Sequence, residues 1–141
     1  MIFIDTSAFL ALENRKDQHH TPALKFRDFL LESETSLLTS DYILDESYTI
    51  IRLRAGHNIA VEFGEMIQGS DLVEIKYLSI ETLREAWHIF KSFADKQFSF
   101  TDCTSFALME SLQMKAAFSF DHHFKQYGKF EIRPEPPLER I

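Results

Sequence analysis

Four carboxylic acids are spaced along the chain in a way that could gather a cation. Asp5 closes the apolar run Ile2-Phe3-Ile4, and Asp121 follows Ala116-Ala117-Phe118-Ser119-Phe120. Both runs read as strands, and ligands of open parallel sheets collect outside the carboxyl ends of strands. Two acids remote in sequence are thereby expected on one rim. Each taken singly also has an everyday reading, because an aspartate at a strand-to-helix junction commonly caps the helix. On the helix expected over Asp41 to Ala55, positions 42, 43, 46, 50 and 53 share a side, occupied by Tyr42, Ile43, Glu46, Ile50 and Leu53. Glu46 is therefore a carboxylate set in an apolar stripe, either a site residue or an edge residue whose tip reaches solvent. Its neighbour Asp45 lies with Asp41, Thr49 and Arg52 on a solvated face. Asp102 stands at the start of another helix on the side of Phe106 and Met109, and Ser99-x-x-Asp102 also fits a capping box. Two unit charges about 4 Å apart repel by roughly 4 kcal/mol at an effective dielectric of about 20. Four converging carboxylates must take up protons or bind a divalent cation. Oxygen ligands without Cys or paired His suit Mg²⁺ or Mn²⁺ better than Zn²⁺.

The elements that would position these acids alternate in type. Strands are expected at Ile2–Ile4, Ser36–Thr39, Leu72–Ile75, Ala116–Phe120 and Phe130–Ile132. Helices are expected at Ser7–Asn14, Asp17–Ser33, Asp41–Ala55, His57–Gln68, Ile80–Ala94, Ser99–Gln113 and, as a short turn, Asp121–Tyr127. Gly56 is suited to a left-handed helix cap, and Leu83, Ala86, Trp87, Phe90 and Phe93 share one face of the Ile80–Ala94 helix. Strands separated by helical pairs require crossovers, so the class is α/β, a mostly parallel central sheet with helices on both faces.

The 141 residues, 45% hydrophobic with 14 Phe, are expected to form a single domain over 1–141, with the Pro-rich stretch 133–141 as an extended tail. Apolar stretches are far shorter than the roughly 18 residues of a membrane span. No basic n-region or apolar h-region precedes Asp5, and the single Cys103 cannot form an internal disulfide, so the expected compartment is the cytoplasm. A net charge of −7 argues against nonspecific nucleic-acid binding by a basic surface. Acids collected at a cation site, however, enter that total without describing the surface.

Asp5-Thr6-Ser7 after the first strand, Glu46 in Ser40-Asp41-Tyr42-Ile43-Leu44-Asp45-Glu46, Asp102 in Phe100-Thr101-Asp102-Cys103, and Asp121 in Phe118-Ser119-Phe120-Asp121-His122-His123-Phe124 together resemble the signature of PIN-domain ribonucleases. The resemblance runs over nearly the whole chain and is greatest to VapC-type toxins of type II toxin–antitoxin modules. It implies a metal-dependent endoribonuclease acting on RNA phosphodiesters, with a cognate antitoxin protein as partner, a homodimer as assembly and no membrane association. It implies that Asp5, Glu46, Asp102 and Asp121 hold Mg²⁺, with Mn²⁺ as substitute. Asp5 is expected as the central ligand, Asp102 and Asp121 as its companions, and Glu46 as a ligand through water or the group that orients the nucleophile. Such a cation lowers the pKa of a bound water and offsets charge in an in-line displacement. Thr6, Ser7 and Thr101 are candidates to hydrogen-bond the acids from behind, with helix capping an equal alternative for Ser7 and Thr101.

Other residues carry less. Adjacent side chains on a helical turn diverge, so at most one of His122 and His123 can serve the site, and a surface pair with Phe124 anchored in the core is the simpler reading. His19-His20 is expected in a loop, and Cys103 as a small buried residue. Arg52, Arg54, Lys76, Lys91, Lys96, Lys115, Lys125 and Lys129 are scattered. Two other classes compete with the nuclease. A phosphotransfer receiver needs an acceptor Asp at the third strand, where Val73-Glu74-Ile75-Lys76-Tyr77 has none, and a dehalogenase-like phosphotransferase needs Asp-x-Asp where Asp5-Thr6-Ser7 stands. A catalytically inactive PIN-like interaction module is the third alternative.

Overall fold

The computed structural model describes residues 1–136. Strands β1 (Ile2–Ile4), β2 (Leu37–Ser40), β3 (Val73–Lys76), β4 (Ala116–Phe118) and β5 (Glu131–Arg133) form one sheet in the order β3-β2-β1-β4-β5. Every pairing is parallel. Helices α1 (Thr6–Glu13) and α2 (His20–Glu32) lead from β1 to β2, and α3 (Asp41–Ala55) and α4 (His57–Gln68) from β2 to β3. Helices α5 (Ile80–Ser92) and α6 (Phe100–Ser111) lead to β4, and α7 (His122–Tyr127) joins β4 to β5. Successive residues of a strand point to opposite faces. Phe3 and Ile4 of β1 are both fully buried, as are Ala117 and Phe118 of β4, so helices cover both faces of the sheet. Right-handed crossovers give the same result: the chain steps one way from β1 to β3, then back across β1 to β4 and β5. β5 extends to Arg133, which heads the expected tail; residues 137–141 of that tail lie outside the described residues.

Aromatic packing fills the layer under α6 and α7. Phe106 stacks on Tyr127 at 4.2 Å and meets Phe124 edge-on at 5.0 Å, and Phe124 in turn lies over Phe3. Phe124 is the expected anchor of its turn. The α3 and α4 boundaries agree with the sequence expectation, because Ser40 caps α3 through a bond from the Ile43 N–H at 3.1 Å and Gly56 separates the two helices. Gly56 is not in the left-handed helical region, however. Its φ of +103° and ψ of 163° turn the chain sharply enough to start α4 at the next residue. The expected face of α5 is also corrected. Ala86 and Ile89 are buried, whereas Trp87 is 51% and Phe90 42% exposed, stacked on each other at 5.6 Å. The smaller residue at 86 lets α5 approach its neighbour, and the bulky rings one position round the helix sit at the edge of that contact, where Phe90 meets Phe100 of α6 edge-on at 6.0 Å. His19 and His20 stand at the N-terminus of α2 rather than in a loop.

Candidate active site

The switch in strand order lies at β1, whose two neighbours are reached by crossovers running in opposite directions. Crevices at such a switch point are where open α/β sheets hold ligands. Asp5 follows β1 and Asp121 lies three residues beyond β4, the adjacent strand, and the Asp5 N–H donates to the Phe118 carbonyl at 3.1 Å. α3 and α6 meet the same rim from either side. Asp102 occupies the third residue of α6, and Glu46 lies in the second turn of α3.

Asp5 is 3% exposed and Asp102 6%, while Glu46 and Asp121 are half-buried. Burial, opposed in part by the Ser7 hydrogen bond and reinforced by the charges of Asp102, Asp121 and Glu46, pushes the Asp5 carboxyl up to about 7. Burial also raises Asp102, with Asp121 adding to it. Glu46 is raised by burial, partly offset by a hydrogen bond from Thr6, with Asp102, Asp121 and Asp45 as further causes. The four acids thus stand near enough for their charges to disfavour one another's ionised forms. No lysine or arginine forms an ion pair with any of the four among the described residues.

Each aspartate is held by one oxygen. Oδ2 of Asp5 accepts from the Ser7 hydroxyl at 2.7 Å, the Ser7 N–H at 3.3 Å and the Ser119 hydroxyl at 3.0 Å. Oδ2 of Asp102 accepts from the Ser99 N–H at 3.0 Å and lies 2.8 Å from His123 Nδ1. Oδ1 of Asp121 accepts from the His123 N–H at 2.9 Å and lies 3.4 Å from its Nδ1. The second oxygen of each carboxylate takes none of these bonds. All three residues therefore are helix caps or capping-box partners and still present a fixed oxygen, so capping and ligation do not compete. A set of anionic oxygens, without basic neighbours and partly withdrawn from water, is chemically suited to a hard divalent cation. They are not drawn into a tight cage: among the described residues, the atoms within 4.8 Å of one another in a possible ligand group are those of Asp121, His122 and His123.

Two of the three expected supporting residues lie against the acids. Ser7 holds Asp5 directly. Thr6 is buried, accepts from the Ser47 hydroxyl at 3.3 Å and donates to the Ile43 carbonyl at 3.5 Å, and it stands near enough to Glu46 to hold its pKa down in part. Thr101 contributes through its carbonyl, which accepts from Thr104 at 2.6 Å and Ser105 at 3.2 Å, and its hydroxyl bonds none of the four acids among the described residues. The expected surface pair is split: the His122 side chain is 73% exposed, but His123 is 18% exposed, wedged between Asp102 and Asp121 and edge-on to Phe98 at 5.6 Å. His123 is reached because Asp121 caps α7 and the cap folds the residue two positions on back toward the acid. Ser119 was also missed. Its hydroxyl joins Asp5 to the Asp121 N–H, which it receives at 3.0 Å. Cys103 is buried, with its thiol pushed up to about 11 by burial and then by Asp102, as befits a packing residue.

A central parallel sheet with acids at the β1 and β4 ends, met by α3 and α6, is the arrangement of one nuclease-like fold class. The model of the PIN domain matches residues 2–130, and the chain belongs to that family. It is 33% identical over 135 residues to the 23S rRNA-specific endonuclease VapC20 of Mycobacterium tuberculosis, covering 96% of this chain and 100% of that protein. A VapC ribonuclease of Archaeoglobus fulgidus is 31% identical over 123 residues, covering 86% of this chain and 77% of that protein. The crystal structure of M. tuberculosis VapC20, a sarcin–ricin loop cleaving toxin, superposes with a TM-score of 0.85 at 32% identity, over 95% of this chain and 100% of the other. Rickettsia felis VapBC2, bound to a DNA fragment from its promoter, shares the fold at a TM-score of 0.71 and 10% identity, over 94% and 98% of the two chains. None of the helices is long and apolar enough to cross a membrane among the described residues.

Proposed function

We propose that the chain is a divalent-metal-dependent endoribonuclease that hydrolyses RNA phosphodiester bonds, working as one domain and as the toxin of a toxin–antitoxin module. The observation that carries this reading is the set of three aspartates near the switch point of the sheet, each tethered through one oxygen while the other takes none of those bonds. Asp5, Asp102 and Asp121 would hold Mg²⁺ or Mn²⁺, and Glu46 would complete the set. When bound, such an ion lowers the pKa of a coordinated water and offsets charge on the reacting phosphoryl group. The chain's own residues do the remainder. Ser7 and Ser119 fix Asp5 by hydrogen bonds to a single oxygen, and His123 holds Asp102 and Asp121 apart. Glu46, half-buried and with its pKa raised by burial, orients the attacking water and accepts its proton.

The names of the relatives support RNA as substrate, and the 23S rRNA cut by VapC20 is the first RNA to test. The VapBC complex among the structural neighbours supports an antitoxin partner. A homodimer is supported by the stacked and exposed Trp87 and Phe90 of α5, an apolar face of the kind a second copy covers. Cytoplasmic action is consistent with the lone reduced and buried Cys103. The test is incubation of ribosomal RNA with protein stripped by EDTA and then returned to Mn²⁺. Cleavage should disappear and reappear, and undiminished cleavage in excess EDTA would sink the metal mechanism.

A further inference from the structure

The geometry points to a nucleobase subsite beside Asp121: the cavity between the start of α2 and the β4–α7 turn takes one unpaired base of an RNA strand, stacked against the His19–Phe120 pair, with Lys125 meeting a flanking phosphate. This rests on the ribonuclease reading and adds where the strand lies. The cavity measures about 580 Å³, within the roughly 300–1,000 Å³ of sites that take small organic groups. It is continuous with the acidic site, because Ser119 and Asp121 form part of its wall. Pro22, Phe120, Phe130 and Ile132 supply apolar sides.

Within it, the His19 ring lies 4.5 Å from the Phe120 ring and within 5° of coplanar. His19 stands at the N-cap of α2, yet its side chain makes no capping bond, so the helix does not require the ring. A flat aromatic stack of this kind receives any base through its π-face, and unpaired bases are what proteins stack on aromatic platforms. Charge favours the same occupant. Lys125 lines the cavity and forms no ion pair among the described residues, whereas Glu135, which also lines it, pairs at 3.1 Å with Arg133, an arginine shared with Glu131 at 2.9 Å. In a chain of net charge −7, a cation and an aromatic stack adjoining the acidic site suit a polyanion with flat bases better than an apolar protein segment, which would leave Lys125 without a partner.

The test uses short single-stranded RNAs carrying a fluorescent adenine analogue at successive positions, bound in Ca²⁺, together with cleavage kinetics of the unlabelled RNA in Mn²⁺. One position should quench on binding to the wild type. His19→Ala should remove that quench and raise KM about 5- to 30-fold with little change in kcat. His19→Phe, which keeps a stacking ring, should restore both. Lys125→Ala should lower the salt dependence of binding by about one ion. Quenching that is equal in wild type and His19→Ala, or no quenching at any position, overturns the subsite while leaving the nuclease reading as it stands. Normal quenching without cleavage by the wild type leaves the subsite and removes the nuclease. If His19→Ala spares KM but abolishes binding of the cognate antitoxin, the groove is a protein contact and the proposal falls.

Discussion

Asp5 is buried at a place where its charge is costly in the cation-free protein, and that cost has a pH signature. Burial and three neighbouring acids raise its carboxyl from an ordinary 3.8 to about 7. The folded protein therefore retains a proton that the unfolded chain has released, and stability falls as pH rises through the window from about 4 to about 7. Above that window the full penalty, of order 4 kcal/mol, is present. Urea unfolding in EDTA should show wild type losing stability between about pH 4 and about pH 7, with Asp5→Asn losing clearly less; parallel losses would mean that Asp5 is not the group responsible. Glu46 and its neighbour differ in another way. Glu46 is half-buried beside Thr6, and Asp45 is exposed. Glu46→Gln should lower RNA turnover by about 100-fold or more, and Asp45→Asn should leave it within about twofold. Abolition of cleavage by the Asp45 change alone, in folded protein, would place the helix register wrongly.

The elements show why caps and site coincide. A helix beginning directly after a strand needs an acceptor for its first N–H groups, and an aspartate supplies it with one oxygen. Asp5 does so for α1 and Asp121 for α7, while Asp102 closes a capping box with Ser99 on α6. The everyday reading of these acids as caps therefore holds, and it is compatible with the functional one. The α3–α4 junction is a stricter case. Nothing lies within 4 Å of where a Cβ on Gly56 would stand, so the objection to a side chain is its backbone alone, at φ +103° and ψ 163°. Gly56→Ala should cost about 1–3 kcal/mol. Gly56→Asn should cost about as much, since asparagine relieves only the left-handed helical region. Chemical denaturation of both variants checks this, and a near-neutral Asn variant would return Gly56 to the left-handed cap that the sequence suggested. On α5 the sequence located the helix but rotated its face. The periodicity of Leu83, Ala86, Trp87, Phe90 and Phe93 records an apolar stripe, and cannot say which part of it a neighbouring helix covers fully and which part, at Trp87 and Phe90, stays exposed at the edge.

At the scale of the molecule, the order β3-β2-β1-β4-β5 brings Asp5 and Asp121 together. The alternation of strands and helical pairs made a parallel sheet legible, and the acids at strand ends made their common rim legible. The supporting contacts were not, because they depend on how the turn after β4 folds back. Ser119 reaches Asp5 across 114 residues, and His123 reaches Asp102 across 21; no local pattern encodes either contact. Nor did spacing reveal that His123 would stand between two of the acids rather than on the surface. Whether the acids are a cation site is decided most directly by thermal melts of wild type and Asp5→Asn, each with and without Mn²⁺. A ligand that binds only the folded state raises its stability with concentration. The wild type should melt higher in Mn²⁺, and Asp5→Asn, equally or more stable than wild type in EDTA, should lose most of that increase. Equal Mn²⁺-induced shifts in the two proteins would contradict Asp5 as a principal ligand.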